Sequence, residues 1–348
     1  MTVFNSQAYV KEAVESILRQ TLADFEFVIV DDGSTDKTLE IIQSFKDPRI
    51  VLFKNNQNQG QTKSLNIGLR QCRAAFIARM DADDISDPKR LQLQYDFLQA
   101  NSKVGLVGSA CVDINAQGKR IRLNGVPIDP QQIKAYLAAS GDLSYWCIYH
   151  PTVMIRKNVL DQAGFYDEKS GEGQGYPHDY ELWSRLIRRC DFANLPQPLL
   201  KYRILPASDS RFYSDKQIKD RDDVSLKKIK SYCPNLNEED RSILLQLLEF
   251  RPQRNQNHGK KVFDLFTYYF KLYMDSEKFM DELKLYYLPQ LWKTNPGLSL
   301  KTFFQLVARH PAFLLNGKFY RKIVKVALHS GMSKKDYQFV TKKMLSYR

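Results

Sequence analysis

Short apolar runs alternate with amphipathic stretches through roughly the first 210 residues of the chain. Residues 25–30 are continuously apolar, as expected of a strand buried on both faces, whereas residues 10–22 place apolar side chains at helical spacing. This alternation predicts an α/β fold built on a mainly parallel sheet with helices on both faces. Further strands are predicted at residues 50–53, 74–78, 150–155 and 192–202, with two short strands at 104–114 separated at Gly108. Further helices are predicted at residues 37–45, 61–72, 88–98, 131–139 and 179–189.

The remainder of the chain has a different character, because its pattern is helical from residue 216 onward. We therefore predict an α/β domain at residues 1–212 and a basic, α-helical C-terminal extension at residues 213–348. Hydrophobic residues make up 43% and charged residues 26% of the chain, which is typical of a globular protein. The chain has no apolar run of about 18 residues and no charged-then-apolar leader, so we expect no membrane span.

The five cysteines are scattered and include no Cys-x-x-Cys pair. This spacing argues against a zinc site and against a disulfide framework, and it fits a protein of the reducing cytoplasm.

The excess positive charge is confined to the C-terminal region. The net charge is +13, and residues 251–348 contain 19 Lys and Arg against 6 Asp and Glu, which leaves 33 charges of each sign in residues 1–250. Residues 318–328 would form a helix with one basic and one apolar face. That pattern suits a helix lying on anionic lipid, and it equally suits a basic surface helix packed on a core. Attachment to the inner face of the cell membrane is therefore one expectation, and a role in solubility alone is the other.

Two acidic turns each follow a predicted buried strand. Asp81, Asp83 and Asp84 come directly after the apolar residues 74–78, and a second turn at residues 31–36 follows the strand at 25–30. The Asp-x-Asp spacing directs two carboxylates to the same side of an extended backbone. Carboxylate oxygens suit Mg²⁺ or Mn²⁺, which enzymes commonly share with substrate phosphates. Such clusters also occur as solvated turns, so the spacing by itself does not establish a site.

The two turns, taken with three other motifs, resemble the family 2 glycosyltransferases of the GT-A fold. The resemblance rests on residues 25–36, 58–60 with 66–68, 80–84, 150–155 and 178–183, which occur in the family's order. It covers roughly residues 1–210, whereas the last 140 or so residues match no family known to us. It implies an inverting enzyme of the hexosyltransferase class that transfers a sugar from a nucleotide-sugar, preferably a UDP-sugar, to a glycan or lipid-linked acceptor.

On the donor side, the resemblance implies that Asp32 binds the base or ribose, Asp81 lies near the sugar, and Asp83 ligates Mn²⁺ or Mg²⁺. Lys63 and Arg79 would add positive charge beside the diphosphate, or else they are solvated surface cations.

On the acceptor side, Asp179 occupies the family's base position and would take the proton of the acceptor hydroxyl. It would also serve as a helix N-cap. Arg203 is a candidate phosphate contact.

The chain departs from the family at three places. His178 replaces the usual Glu before Asp179, and Leu205 replaces a His that can complete the metal site. Water, His150 or His178 would then fill that position, or the metal would bind weakly. Only residues 1–5 represent the family's first strand, so we expect either a missing upstream segment or a shortened strand that leaves a gap beside the nucleotide site.

Two other classes of function compete with a glycosyltransferase. A non-catalytic nucleotide-sugar binder would explain the short first strand and Leu205, although Asp83 and Asp179 argue against it. A nucleic-acid-binding protein would use the basic extension, yet the chain has no zinc finger and no recognisable RNA-binding motif.

Overall fold

A computed structural model describes residues 1–138, 147–168, 178–205 and 215–248, together with positions 264, 265, 268 and 269. The chain separates into two compact units, Met1–Val224 and Ser225–Arg348. The first unit extends a little past the boundary expected at residue 212. It contains every candidate site residue.

Three parallel strands form the first sheet, in the order β1-β2-β3. They are β1 (Thr2–Val3), β2 (Phe27–Asp31) and β3 (Ile50–Lys54). All five residues of β2 are buried, as its continuous apolar sequence predicts. Helix α1 (Val10–Leu18) buries its apolar face in the core beside this sheet, and helix α2 (Thr38–Ser44) follows β2. The parallel strand–helix pattern is therefore confirmed in this part of the chain.

The second sheet is mixed, with strand order β4-β8-β6-β9-β5 and β7 paired to β6. Its strands are β4 (Phe76–Ala78), β5 (Ile85–Ser86), β6 (Val104–Ile114), β7 (Arg120–Asn124), β8 (Met154–Arg156) and β9 (Asp191–Arg203). Only β6 and β9 pair in parallel, and the other pairs are antiparallel.

Strand β6 runs unbroken through Gly108, so the predicted division into two strands is wrong. A side chain at this position would collide with Asn194 of β9. The glycine therefore permits a close approach of two strands and does not end one.

The remaining helices of the first unit lie between or beside these strands. They are α3 (Gln61–Gln71), α4 (Arg90–Ala100), α5 (Pro130–Ala138), α6 (Lys157–Ala163) and α7 (His178–Leu186). A short 3₁₀ turn, His150–Thr152, occupies the start of the predicted strand at 150–155, because the N–H of Thr152 donates to the carbonyl of Tyr149.

Two helices in the later part of the chain agree with the predicted helical pattern: α8 (Asp215–Tyr232) and α9 (Glu238–Leu248). The basic segment at 318–328 lies outside the described residues. Within the described part of the chain, no helix combines the length and apolar character needed to cross a membrane.

A cavity of about 420 Å³ lies between β2 and β4. Its lining includes Phe27 and Val28 on one side and Phe76 and Ile77 on the other. The amino group of Met1 donates a hydrogen bond to the carbonyl of Val28 at 2.9 Å, and burial lowers the pKa of this amine to about 6.

Candidate active site

The candidate site is formed where β2 and β4 end. Asp31 is the last residue of β2, and Asp81, Asp83 and Asp84 follow β4. Ligands of α/β sheets bind outside the carboxyl ends of such strands. The two acidic turns recognised in the sequence therefore lie at the position where a ligand is expected.

Asp32 is only 3% exposed, and its carboxylate already accepts hydrogen bonds from other residues of the protein. It accepts hydrogen bonds from Asn55 Nδ2 at 2.8 Å and from the backbone N–H groups of Gln59 and Gly60, each at 2.9 Å. These bonds hold the loop at 55–60 over the end of β2. The predicted role of Asp32 in binding base or ribose stays a prediction, and its hydrogen bonds favour a role in shaping this loop.

Asp31 is a candidate that the sequence reasoning missed, because it was assigned to the turn. Its Oδ1 accepts a hydrogen bond from the N–H of Ser34 at 3.3 Å. Its Oδ2 is buried and has no hydrogen-bond partner among the described residues. A buried carboxylate oxygen without a donor is costly, so Asp31 has an acceptor left for a ligand N–H or O–H. Its place as the last residue of a fully apolar strand is the sequence signal that could have identified it.

Arg79 and Asp81 form an ion pair between Arg79 Nη1 and Asp81 Oδ2 at 2.5 Å. The arginine is buried, whereas the aspartate is partly exposed. Arg79 is therefore not a solvated surface cation. Asp81 largely balances the charge of Arg79. Arg79 therefore holds the carboxylate of Asp81 in place as well as adding positive charge to the site.

Asp83 carries the carboxylate that fits a cation best. Burial, and then the negative charge of Asp81, raises the pKa of Asp83 to about 6. Burial and the charges of both Asp81 and Asp83 raise the pKa of fully buried Asp84 well above its ordinary value. Carboxylates that repel one another in this way are stabilised by a divalent cation, so the residues present fit Mn²⁺ or Mg²⁺.

A cation at Asp83 would need most of its other ligands from phosphate or water. No group of three or more His, Cys, Asp or Glu residues is arranged to hold a metal within the described ranges. His150 Nε2 is instead 2.6 Å from the hydroxyl of Tyr166. His150 is therefore engaged with Tyr166, and the group that takes the place of the family's metal-site His stays a prediction.

Arg203 is 3% exposed and holds the acidic turn from beneath. Its Nε donates to the carbonyl of Asp83 at 2.7 Å, and its backbone N–H donates to Asp84 Oδ1 at 2.8 Å. Its Nη atoms donate to the carbonyls of Asn115 and Ala116 and to Glu12 Oε2. Four of its five guanidinium N–H groups are thus engaged within the protein. These bonds favour positioning of Asp83 over the predicted contact with phosphate.

Asp179 lies in the first turn of α7, which begins one residue earlier, at His178. Its Oδ1 accepts a hydrogen bond from the N–H of Tyr180 at 2.8 Å. Asp179 therefore combines a partly exposed carboxylate with a fixed backbone position. Trp183, four residues on, is 1% exposed and packs edge-on against Phe192, so it belongs to the core and does not stack on a sugar.

Lys63 is exposed in the first turn of α3, directly after the loop that Asp32 holds. The pKa of Glu168 is lowered by hydrogen bonds from Asn66 and Arg70, and the nearby charge of Lys63 contributes to the shift. The structure thus brings Lys63 to the donor side of the site. Its contact with a diphosphate stays a prediction.

The sequence of the first unit matches known proteins. Residues 1–164 match the model of the family described as "Glycosyl transferase family 2". The O-antigen biosynthesis glycosyltransferase WbnJ of Escherichia coli is 33% identical over 213 residues, covering 59% of this chain and 78% of the relative. An uncharacterized glycosyltransferase of Methanocaldococcus jannaschii is 34% identical over 209 residues, covering 59% and 69%. The amylovoran biosynthesis glycosyltransferase AmsE of Erwinia amylovora is 31% identical over 196 residues, covering 56% and 70%.

Among solved structures, S. aureus TarS 1–349 in complex with UDP-GlcNAc superimposes with a TM-score of 0.55. The superposition covers 89% of this chain and 90% of that structure, at 16% sequence identity. At this identity the likeness establishes a shared fold.

Proposed function

We propose, from the premise that this chain belongs to glycosyl transferase family 2 and is a glycosyltransferase, that it transfers a sugar from a UDP-sugar to a glycan or lipid-linked acceptor. The observation that carries the proposal is the cluster of carboxylates after β4, in which the pKa of Asp83 is raised to about 6. Such carboxylates can bind a divalent cation, and that cation can stabilise an anionic leaving group.

Asp83 would hold the cation, with Asp81 beside the sugar and fixed by Arg79. When bound, Mn²⁺ or Mg²⁺ would stabilise the negative charge that the nucleoside diphosphate gains as the glycosidic bond breaks. Arg203 fixes the carbonyl of Asp83, so it keeps this carboxylate in place. Asp31 Oδ2 is the acceptor we assign to an N–H of the base.

Names of related proteins support the choice of donor and acceptor. The solved TarS structures hold UDP-GlcNAc and UDP, and two relatives act in O-antigen and amylovoran biosynthesis. We therefore propose a uridine nucleotide-sugar as donor and a growing cell-surface glycan, free or lipid-linked, as acceptor.

Asp179 is the proposed base. As the acceptor oxygen forms its bond to the anomeric carbon, the bond from that carbon to the diphosphate oxygen breaks, and the hydroxyl proton passes to Asp179. A single displacement of this kind inverts the anomeric configuration. The exposed part of Asp179 leaves room for an acceptor to approach.

A panel of nucleotides tests the donor site. We expect UDP or a UDP-sugar to raise the melting temperature in the presence of Mn²⁺ and to have a much smaller effect with EDTA, because a ligand that binds only the folded protein stabilises it by mass action. The measurement is a thermal-shift series over UDP, GDP, UDP-GlcNAc and UDP-glucose. Equal behaviour of all nucleotides, with or without metal, would contradict the proposal.

Release of UDP from the same sugars separates an enzyme from a binder. A stabilising UDP-sugar that is never hydrolysed or transferred would favour the non-catalytic alternative. Turnover of any one of them would exclude it.

We also propose that the basic C-terminal extension attaches the enzyme to an anionic membrane surface. Support comes from the sequence, since residues 251–348 carry the whole excess of positive charge. We expect the full chain to float with phosphatidylglycerol vesicles at low salt and to be released from them at high salt. It should not bind phosphatidylcholine vesicles. Replacing Lys318, Arg321, Lys322 and Lys325 by Gln should weaken flotation, and unchanged flotation would overturn the proposal.

A further inference from the structure

A cluster of aromatic rings lies beside the start of α7 in the first unit; His178 is half-buried, and the other rings are buried. His150 comes from the 3₁₀ turn before β8, Tyr166 from the loop after α6, and His178 and Trp183 from α7. The ring centroids of His150 lie 5.6 Å from Tyr166, 5.1 Å from His178 and 5.8 Å from Trp183. The proposed reaction assigns no role to these groups.

Within this cluster, the hydroxyl of Tyr166 and Nε2 of His150 are 2.6 Å apart. Burial, and then the charges of Arg79 and His178, holds the pKa of His150 well below its ordinary value, so the ring is neutral at pH 7. Burial also raises the pKa of Tyr166. The pair is therefore a hydrogen bond between two neutral groups in a buried environment, where geometry is strongly determined.

The charges around Tyr166 come from both halves of the site. After burial, the groups that act on its pKa are Arg79, Asp179 and Asp81, in that order, followed by Arg185. Tyr166 also lines the same cavity as Arg79, and its ring centroid lies 5.6 Å from that of His178, the residue before Asp179.

The backbone of Tyr166 is fixed as firmly as its side chain. Its N–H donates to Asn66 Oδ1 at 3.0 Å, and its carbonyl accepts from Asn66 Nδ2 at 2.8 Å. Asn66 lies on α3, whose first turn adjoins the loop held by Asp32. The side chain of Asn66 therefore binds both the backbone N–H and the carbonyl of Tyr166, which is more than packing alone requires.

We propose that Tyr166, held by His150 and Asn66, is a positioning residue that sets the distance between the donor ion pair Arg79–Asp81 and the base Asp179. The inference rests on the proposed function, since it concerns the same site. Its hydroxyl orients the His150 ring, and that ring contacts His178 at the start of the helix that carries Asp179. Misplacement of a catalytic group by about 1 Å can cost on the order of 100-fold in rate, so this support matters for turnover more than for binding.

Tyr166→Phe tests the inference, because it removes the hydroxyl and keeps the ring. We expect kcat for UDP release from a UDP-sugar to fall on the order of 10-fold or more. The KM for the donor and the thermal shift caused by UDP with Mn²⁺ should both stay within about twofold of the wild-type values. Tyr95→Phe, the same change on a tyrosine that packs against Phe76, is the matched control and should retain activity.

Two variants of His150 keep the test independent of folding. His150→Gln retains a hydrogen-bonding partner for the Tyr166 hydroxyl, so it should keep more of kcat than His150→Ala. In the background of His150→Ala, Tyr166→Phe should cause little further loss, because the hydrogen bond is already absent.

The outcomes are distinguishable. Wild-type kcat retained in Tyr166→Phe, or a loss of donor binding and melting temperature in parallel with kcat, would overturn the positioning role and leave the proposed function intact. A wild-type protein that neither binds nor turns over any UDP-sugar would instead refute the proposed function, and the positioning role with it.

Discussion

Asp179→Asn is expected to abolish most turnover while leaving donor binding intact. The amide has nearly the same shape as the carboxylate and still offers an oxygen to the N–H of Tyr180, so the start of α7 should keep its structure. It cannot accept the proton of the acceptor hydroxyl. Since a positioned general base contributes about 10²- to 10⁴-fold, kcat should fall within that range. The measurement is UDP release with donor alone and with an accepted glycan.

Asp161→Asn provides the control for this prediction. Asp161 is an exposed carboxylate on α6 that pairs with Lys157, so it undergoes the same chemical change away from the site. Its turnover should remain close to wild type. Retained activity in Asp179→Asn would show that Asp179 is not the base and that another group takes the proton.

Asp83→Asn is expected to remove the metal dependence of nucleotide binding and to lower kcat by on the order of 10²- to 10³-fold, since it removes the proposed ligand of the cation that would stabilise transition-state charge. The thermal shift caused by UDP should become the same with Mn²⁺ as with EDTA. Asp96→Asn, which alters an exposed carboxylate bonded to Gln92, should leave both quantities unchanged. A metal-dependent shift that survives in Asp83→Asn would show that Asp83 is not the ligand.

The same substitution should stabilise the metal-free protein at high pH. The folded protein raises the pKa of Asp83 from 3.8 to about 6, so the folded state binds this proton more tightly than the unfolded state. Wild-type stability therefore falls as pH rises from about 4 through about 6. Asn carries no charge, so we expect Asp83→Asn to melt higher than wild type at pH 8 in EDTA and to lose this advantage near pH 4. No gain at pH 8 would contradict the raised pKa that burial and the charge of Asp81 give to Asp83.

The periodicity of the sequence predicted most elements of the first unit, because single strands and helices depend on local pattern. Residues 25–30 were placed within a residue or two of β2, and residues 61–72 within one residue of α3. The errors occurred where a distant residue decides the local structure. Gly108 looked like a strand end, but it faces Asn194 from a strand more than 80 residues later.

The sequence identified most residues of the candidate site but not the contacts that they make. The carboxylates Asp81 and Asp83 stand out by spacing. The hydrogen bonding that distinguishes Asp32 from Asp31 depends instead on the loop at 55–60, which folds over the end of β2. The inward orientation of Arg203 was likewise invisible. A positively charged residue at the end of a strand is exposed in most proteins, and only the tertiary structure supplies the carbonyls that surround this one.

The bonds of Arg203 also have a consequence for the order in which the protein matures. The acidic turn is complete by residue 84, but the contacts that hold the carbonyl of Asp83 and the side chain of Asp84 come from residue 203. During synthesis, about 120 further residues must leave the ribosome before these contacts form. A nascent chain that ends inside β9 therefore lacks the contacts that preorganise the proposed cation site, and we expect the growing polypeptide to become active only near the end of its α/β portion.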